Sequence, residues 1–593
     1  MPEAHSHLFH VEAELERPGD APVFAMPAWT PGSYLLREFA RHVEGFEARD
    51  DAGRALEVER LDKARWKVHA RGAARVRLSY RVYANDLTVR TSHLDGTHGY
   101  FNGANLFLEP EGRASERQVL EVIAPAGWRV ATALEGEGQR GPFGAGEGDG
   151  GGGTWTFEAR DFDELVDSPV EVGTHAVWRF EAAGKPHAIT LWGRAAGGLD
   201  AERLTADVKR IVEAEAALMG GLPYSRYLFI VHVSDKRRGG LEHASSTTLS
   251  VGRNAFAGRD AYEETLALVA HEFFHVWNVK GLRPAALVPY DYDREQYTRL
   301  LWWFEGVTSY YDTLTLARCG LVDARRYLRH VGEALTSLER TPGARKVSAE
   351  ESSFTAWVKL YRADENTPNS TISYYLKGEL VALALDLQLR RAGRSLDELL
   401  RTLWQRHAAN GGVPEDGIER AVSDALGPDA ARAFFDRHVR GTGDVDLALD
   451  LVGVRLERRA AQGFDDKGGT PPKGNGPPKV VGWLGAQLAG GPKLTVSTVR
   501  EGSPAWRAGL YAEDEIVAED GFRVDRSALW ERLQERGAGG TLKLTVFRRD
   551  ELVEVPVTLG VPPPDTLWLE PDPSATAEQR AAFTAWCGAA FPT

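Results

Sequence analysis

His271-Glu272-Phe273-Phe274-His275 is followed thirty positions later by Glu305, inside the run Leu300-Leu301-Trp302-Trp303-Phe304-Glu305-Gly306. On a helix, residues four apart share one face, so His271 and His275 can reach one metal ion together. Glu272, beside the first histidine, can face a water on that ion as a general base. The segment from Ala261 to Val276 is apolar on nearly every other face, which predicts a helix buried in a domain core. Two imidazoles and a carboxylate are costly there unless something satisfies them. A zinc ion does so at once. Catalytic zinc keeps three protein ligands and one open position, and Glu305 is the natural third ligand. Gly306, next to it, allows two helices to approach closely. The chemistry implied is hydrolysis of an amide or ester bond by metal-activated water, with one zinc per chain.

Outward from this core, the chain of 593 residues is too long for one hydrophobic core and implies several domains. Apolar residues make up 43% and charged residues 26%, and the net charge is −14, from 71 basic against 85 acidic side chains. That balance suits a soluble globular protein and argues against nucleic acid as a partner. No stretch approaches the roughly 18 apolar residues of a membrane span. The N-terminus lacks a basic start followed by an apolar core, so the expected compartment is the cytoplasm, or the periplasm or exterior if a leader has been removed. The two cysteines, Cys319 and Cys587, predict no disulfide framework.

Period-two alternation at Phe9, Val11, Ala13 and Leu15, and at Val76, Leu78, Tyr80 and Val82, predicts β structure over residues 1–175. The run Gly141–Gly153 reads as a flexible loop. Residues 176–462 read as an α+β domain, with helices at Ala201–Met219, Leu380–Leu389 and Ala430–His438 and a strand at Tyr227–Val233. Residues 463–479, rich in Gly, Pro and Lys, read as a linker. Residues 480–562 follow as a compact module, with strands at Leu494–Val499, Glu515–Ala518, Leu542–Phe547 and Val553–Thr558 and a helix at Ser527–Arg536. Residues 563–593 are expected to be a tail.

His271–Pro284 (HEFFHVWNVKGLRP), Trp302–Tyr311 (WWFEGVTSYY) and Ile372–Gly378 (ISYYLKG) resemble the aminopeptidase branch of the thermolysin-like zinc peptidases. Trp29–His42 and Gly239–Leu249 extend the likeness, which is closer to the bacterial glycyl aminopeptidases. The resemblance implies an N-terminal β-sandwich-like domain, a thermolysin-like catalytic domain and a C-terminal PDZ domain. It also implies an enzyme that removes N-terminal residues from peptides and prefers Gly or Ala. Tyr375, two residues before Lys377-Gly378, corresponds to the tyrosine that stabilises the oxyanion, with Tyr374 as its competitor. Gly239-Gly240-Leu241-Glu242 corresponds to the strand that aligns the peptide, and Glu242 to the carboxylate that binds the free amine. His243 stands where the larger branch has Asn; ligand, substrate contact and plain loop residue all remain open for it. Arg283 is expected to bind a peptide carboxylate or to buttress the site.

The segment from Val480 onward resembles a PDZ domain of the bacterial protease type, with a carboxylate loop at Gly482, Trp483, Leu484 and Gly485. Its groove is expected to take either a peptide C-terminus or a segment of the chain itself. Endopeptidase, epoxide-hydrolase-like and inactive scaffold readings stand as alternatives.

Overall fold

The structure is a computed structural model that describes all residues except 137–142, 144–152, 236–237, 409, 474–480 and 593. The Gly141–Gly153 loop and the second half of the predicted linker therefore lie mostly outside the described residues. The chain forms two compact units, Met1–Tyr297 with Leu400–Pro414, and Thr298–Leu399 with Glu415–Thr593. The predicted peptidase segment 176–462 contributes to both.

The first unit opens with β structure. Strand β1 (Leu8–Glu16), β2 (Val43–Asp50) and β3 (Arg75–Tyr83) form an antiparallel sheet with β3 in the middle. Its alternation is the one expected: Val76, Leu78, Tyr80 and Val82 are buried and their neighbours face out. A second sheet contains β4 (His98–Phe101), β5 (Arg129–Thr132) and β6 (Val170–Gly173), with β6 between the other two.

A five-stranded mixed sheet follows, built from β7 (Ala176–Ala182), β8 (Lys185–Gly193), β9 (Tyr227–Val233), β10 (Gly239–Glu242) and β11 (Ser246–Val251) in the order β7-β8-β9-β11-β10. Strand β9 runs parallel to both neighbours and is buried at every position, as an unbroken apolar run requires. Strand β10 is antiparallel to β11 and forms the sheet edge.

Helix α1 (Ala201–Met219) has the bounds predicted. Asp200 accepts from the Arg203 amide at its start, and Gly220 closes it at φ 85°. Helix α2 (Arg259–Phe274) ends inside the HEFFH motif, with His275 still in the helical region as its C-cap.

In the second unit the apolar run around Glu305 divides into α3 (Leu301–Phe304) and α4 (Gly306–Arg318), with Glu305 at the junction. Helix α5 (Ala324–Glu339) and α6 (Tyr374–Arg391) complete the centre. A Cβ on Gly306 would lie 2.4 Å from the Gly378 Cα, so glycine at both positions lets α4 and α6 touch through their backbones.

The linker and tail expectations need correction. Strand β12 (Val454–Arg459) leads into residues 463–473, where Gly468 and Gly469 are buried against α5 and the Gly469 amide donates to the Leu567 carbonyl at 2.8 Å. A Cβ on Gly468 would meet Thr336 Oγ1 at 2.0 Å. Glycine serves close approach here rather than flexibility.

The compact module after it holds β13 (Ala486–Leu488), β14 (Val496–Val499), β15 (Glu515–Glu519), α7 (Arg526–Arg536), β16 (Thr541–Arg548) and β17 (Glu551–Thr558), around its own core from Val481 to Leu559. The expected tail is folded. Strand β18 (Thr566–Pro571) pairs antiparallel with β12, and α8 (Ala577–Cys587) buries Phe583, Trp586 and Cys587. Trp586 Nε1 donates to the Tyr310 hydroxyl at 2.8 Å, and the Trp586 carbonyl accepts from Arg318. Among the described residues no helix is long and apolar enough to cross a membrane.

Candidate active site

In the first unit, α2 delivers His271, Glu272 and His275. The Nε2 atoms of the two histidines lie 3.2 Å apart, with their rings at 86°. Two nitrogens on one tetrahedral zinc ion, at a usual bond length of about 2.0–2.1 Å, would be separated by about 3.3 Å. His275 Nδ1 is 2.8 Å from the Asn278 carbonyl oxygen. A carbonyl only accepts, so Nδ1 carries the proton and Nε2 keeps its lone pair for a metal. The pair therefore fits an ion of the zinc class by spacing and by tautomer.

The edge strand β10 runs beside these residues. A Cβ on Gly240 would fall 2.1 Å from the Glu272 Cδ, so only glycine lets the strand backbone come this close to the carboxylate. Glu242, at the end of β10, is 4% exposed, and its Oε1 has no hydrogen-bond partner among the described residues. Ligand-capable atoms of Glu242, Glu272 and His275 lie within 4.8 Å of one another. The Trp29–His42 segment covers Glu242: a Cβ on Gly32 would be 2.5 Å from Oε1, and Gly32 has φ 86°. Gly239 precedes this contact, and the Gly240 carbonyl accepts from Arg90 Nη2 at 3.3 Å.

His243 turns away into a buried network. Its Nδ1 donates to Asp167 Oδ1 at 3.1 Å, and Lys280 Nζ donates to the same oxygen at 2.6 Å. The Ala244 amide donates to Asp167 Oδ2 at 2.8 Å. Burial alone would raise the Asp167 pKa, but the Lys280 charge and the His243 contact hold it well below the usual carboxylate range. Sequence reasoning did not find Asp167 or Lys280. Lys280 lies in the quoted motif stretch, whereas nothing around Asp167 marks it. Arg283 stacks on Tyr290 at 4.8 Å and donates to the Lys280 carbonyl at 3.2 Å.

In the second unit Glu305 is 1% exposed. Tyr374 and Tyr375 open α6 with their rings stacked at 4.8 Å. Tyr374 is fully buried, whereas Tyr375 is partly exposed. Burial, then the Glu305 charge, push the Tyr375 hydroxyl well above its ordinary pKa, so it stays a neutral donor. Lys377 Nζ donates to the Gly441 carbonyl at 2.9 Å, and burial lowers its pKa to about 8.

At the loop from Gly482 to Gly485, the Gly482 amide donates to the Leu533 carbonyl at 2.7 Å and the Trp483 amide to Gly560 at 2.9 Å. Two of the four expected carboxylate-binding positions are thus already engaged by the chain itself.

Residues 1–174 match the Peptidase M61 N-terminal domain, and residues 264–381 match the M61 glycyl aminopeptidase domain. No curated protein matches. A solved aminopeptidase N family protein from Idiomarina loihiensis is 33% identical, with TM-score 0.91 over 99% of this chain and 98% of its own. An M1 zinc metallopeptidase from Deinococcus radiodurans is 16% identical, with TM-score 0.47 over 75% of this chain and 92% of its own, too distant to argue from. On the near full-length match and the two domain matches together, the chain belongs to the M61 glycyl aminopeptidase family and is a metallo-aminopeptidase.

Proposed function

We propose that this zinc aminopeptidase anchors the free N-terminus of a peptide on Glu242 and cleaves the first peptide bond with Glu272 as general base. The observation that carries this reading is the buried, unpartnered Glu242 Oε1 beside Glu272 and His275. A buried carboxylate oxygen without a partner is unfavourable, and a substrate ammonium would satisfy it. The donor set proposed for the metal is His271 and His275, with Glu305 as the third ligand. Zinc, when bound, supplies the Lewis acid that makes water a nucleophile near neutral pH and polarises the scissile carbonyl.

The chain's own residues do the rest. The outer edge of β10, where the Gly240 carbonyl already accepts from Arg90, offers its other backbone groups for a substrate strand to pair with. Glu272 takes a proton from the attacking water and returns it to the leaving amine. The Tyr375 hydroxyl, neutral and partly exposed, donates to the developing oxyanion, a role for which the fully buried Tyr374 is less suited. Preference for Gly or Ala is the family's property. The tight cover that Gly32 places over Glu242 supports it, because it leaves little room beside the amine.

Gly-, Ala- and Leu-anilides and their N-acetylated forms test the reading, with and without chelator. Cleavage only of free-amine substrates, lost with chelator and fastest for Gly or Ala, is expected. Equal turnover of the acetylated forms would remove Glu242 as anchor, and a faster Leu substrate would remove the small-residue preference.

We also read residues 481–562 as a PDZ-like module whose groove serves the protein's own chain. The engagement of the Gly482 and Trp483 amides by Leu533 and Gly560 supports this. Titration with fluorescent peptides bearing free C-termini should show no saturable binding to the module.

A further inference from the structure

A second cluster of metal-binding side chains lies in the first unit, built from three strands and a loop. His98 opens β4, Glu171 lies on β6, His175 follows β6, and His232 is near the end of β9. All four are sealed: His98 and His232 are 0% exposed, Glu171 1% and His175 2%. His232 Nε2 donates to Glu171 Oε2 at 2.9 Å. His98 Nε2 stands 2.9 Å from Glu171 Oε1, and His175 Nδ1 stands 3.7 Å from the same oxygen. Ligand-capable atoms of His98, Glu171 and His232 lie within 4.8 Å of one another. Trp192 stacks on the His98 ring at 4.1 Å and Tyr100 meets His232 edge-on at 4.8 Å, so the rings are held in place.

An ordinary buried hydrogen-bond network does not account for this arrangement. Both ring nitrogens of His98, both of His175, Nδ1 of His232 and Oε1 of Glu171 have no hydrogen-bond partner among the described residues. The short approach of His98 to Glu171 is therefore not a hydrogen bond in its geometry. Buried polar atoms left unpaired in such number point to a missing ligand at the centre of the group.

We propose that His98, Glu171 and His232, with His175 as a fourth donor, hold a second divalent transition-metal ion of the zinc class. Imidazole-rich donors select such an ion over calcium or magnesium, which take oxygen ligands. Four protein donors in a sealed site leave no open position, which is the mark of a structural rather than a catalytic metal. The ion would tie β4 and β6 to β9, joining the β-rich N-terminal segment to the five-stranded sheet.

The test is metal counting on the full chain without a polyhistidine tag, loaded with zinc and dialysed. The double variant His271→Ala/His275→Ala removes the catalytic pair, so any metal it keeps reports on the second site alone. About one ion per chain is expected in that variant, falling to about none when Glu171→Gln is added. Because Glu171→Gln could disturb folding, cobalt loading of the double variant gives an independent readout: ligand-field bands of a four-coordinate nitrogen–oxygen site are expected. A double variant that binds no zinc and shows no such bands would overturn the second site, whatever the aminopeptidase assays show.

Discussion

The first unit carries two histidine–carboxylate groups of similar chemistry and opposite design. The group at His271, Glu272 and His275 is written in five consecutive residues, and a neighbouring carboxylate, Glu242, keeps an unpaired oxygen beside it. The group at His98, Glu171 and His232 is assembled from three separate strands and covered by Trp192 and Tyr100. The first has a glycine strand along it, the edge proposed to take a substrate backbone. The second is buried among the described residues, with His98 and His232 at 0% exposure. Similar donors thus serve reaction or architecture according to what borders them, which is a matter of fold rather than of residue type.

The contrast can be broken at several points. The largest effect is expected at Glu272. Glu272→Gln should keep its metal by elemental analysis and lose about 10²–10⁴-fold in kcat. A variant turning over near the wild-type rate would show that the motif helix provides ligands only.

Asp167→Asn comes next. It leaves the Lys280 charge buried without its partner and should destabilise the first unit by about 3–5 kcal/mol in urea unfolding. Asp167 has a folded-state pKa below its unfolded value of about 3.9, so its contribution is full above that pH and lost as pH falls through the acid range. The variant should lack that part of the acid sensitivity.

Glu242→Gln should cost about 1.5–3 kcal/mol, or about 10–150-fold in kcat/KM, for substrates with a free amine. An undiminished rate would mean that the ammonium is held elsewhere.

The smallest effect is expected at Arg283. Arg283→Met removes the stack on Tyr290 and should lower stability by about 0.5–1 kcal/mol with KM unchanged if the side chain is a buttress. A raised KM for longer peptides would instead place it at the substrate carboxylate.

Local patterns made much of this legible. Helix α1 and strand β9 could be bounded from sequence because a cap, a closing glycine and an unbroken apolar run are each written within a few residues. The HEFFH reading is of the same kind, since four-residue spacing is itself the geometry. Asp167 meets Lys280 and His243 only after distant segments fold together, and no local pattern marks it. The same holds for His98, Glu171 and His232. Residues 463–473 misled for another reason. Gly468 and Gly469 carry the composition of a linker, yet their missing side chains are what lets the segment lie against Thr336 and α5. Composition alone does not distinguish a glycine that frees the chain from one that allows close contact.

The C-terminal return of the chain bears on how the protein comes into being. Strand β18 and helix α8 are made after the compact module, yet they supply the partner of β12 and the Trp586 cover over Tyr310. The helical unit that carries Glu305 and Tyr375 therefore completes its core only once synthesis has reached Cys587. A chain cut ahead of α8 would be left with an open seam along α4, so quality control over this peptidase depends on that helix.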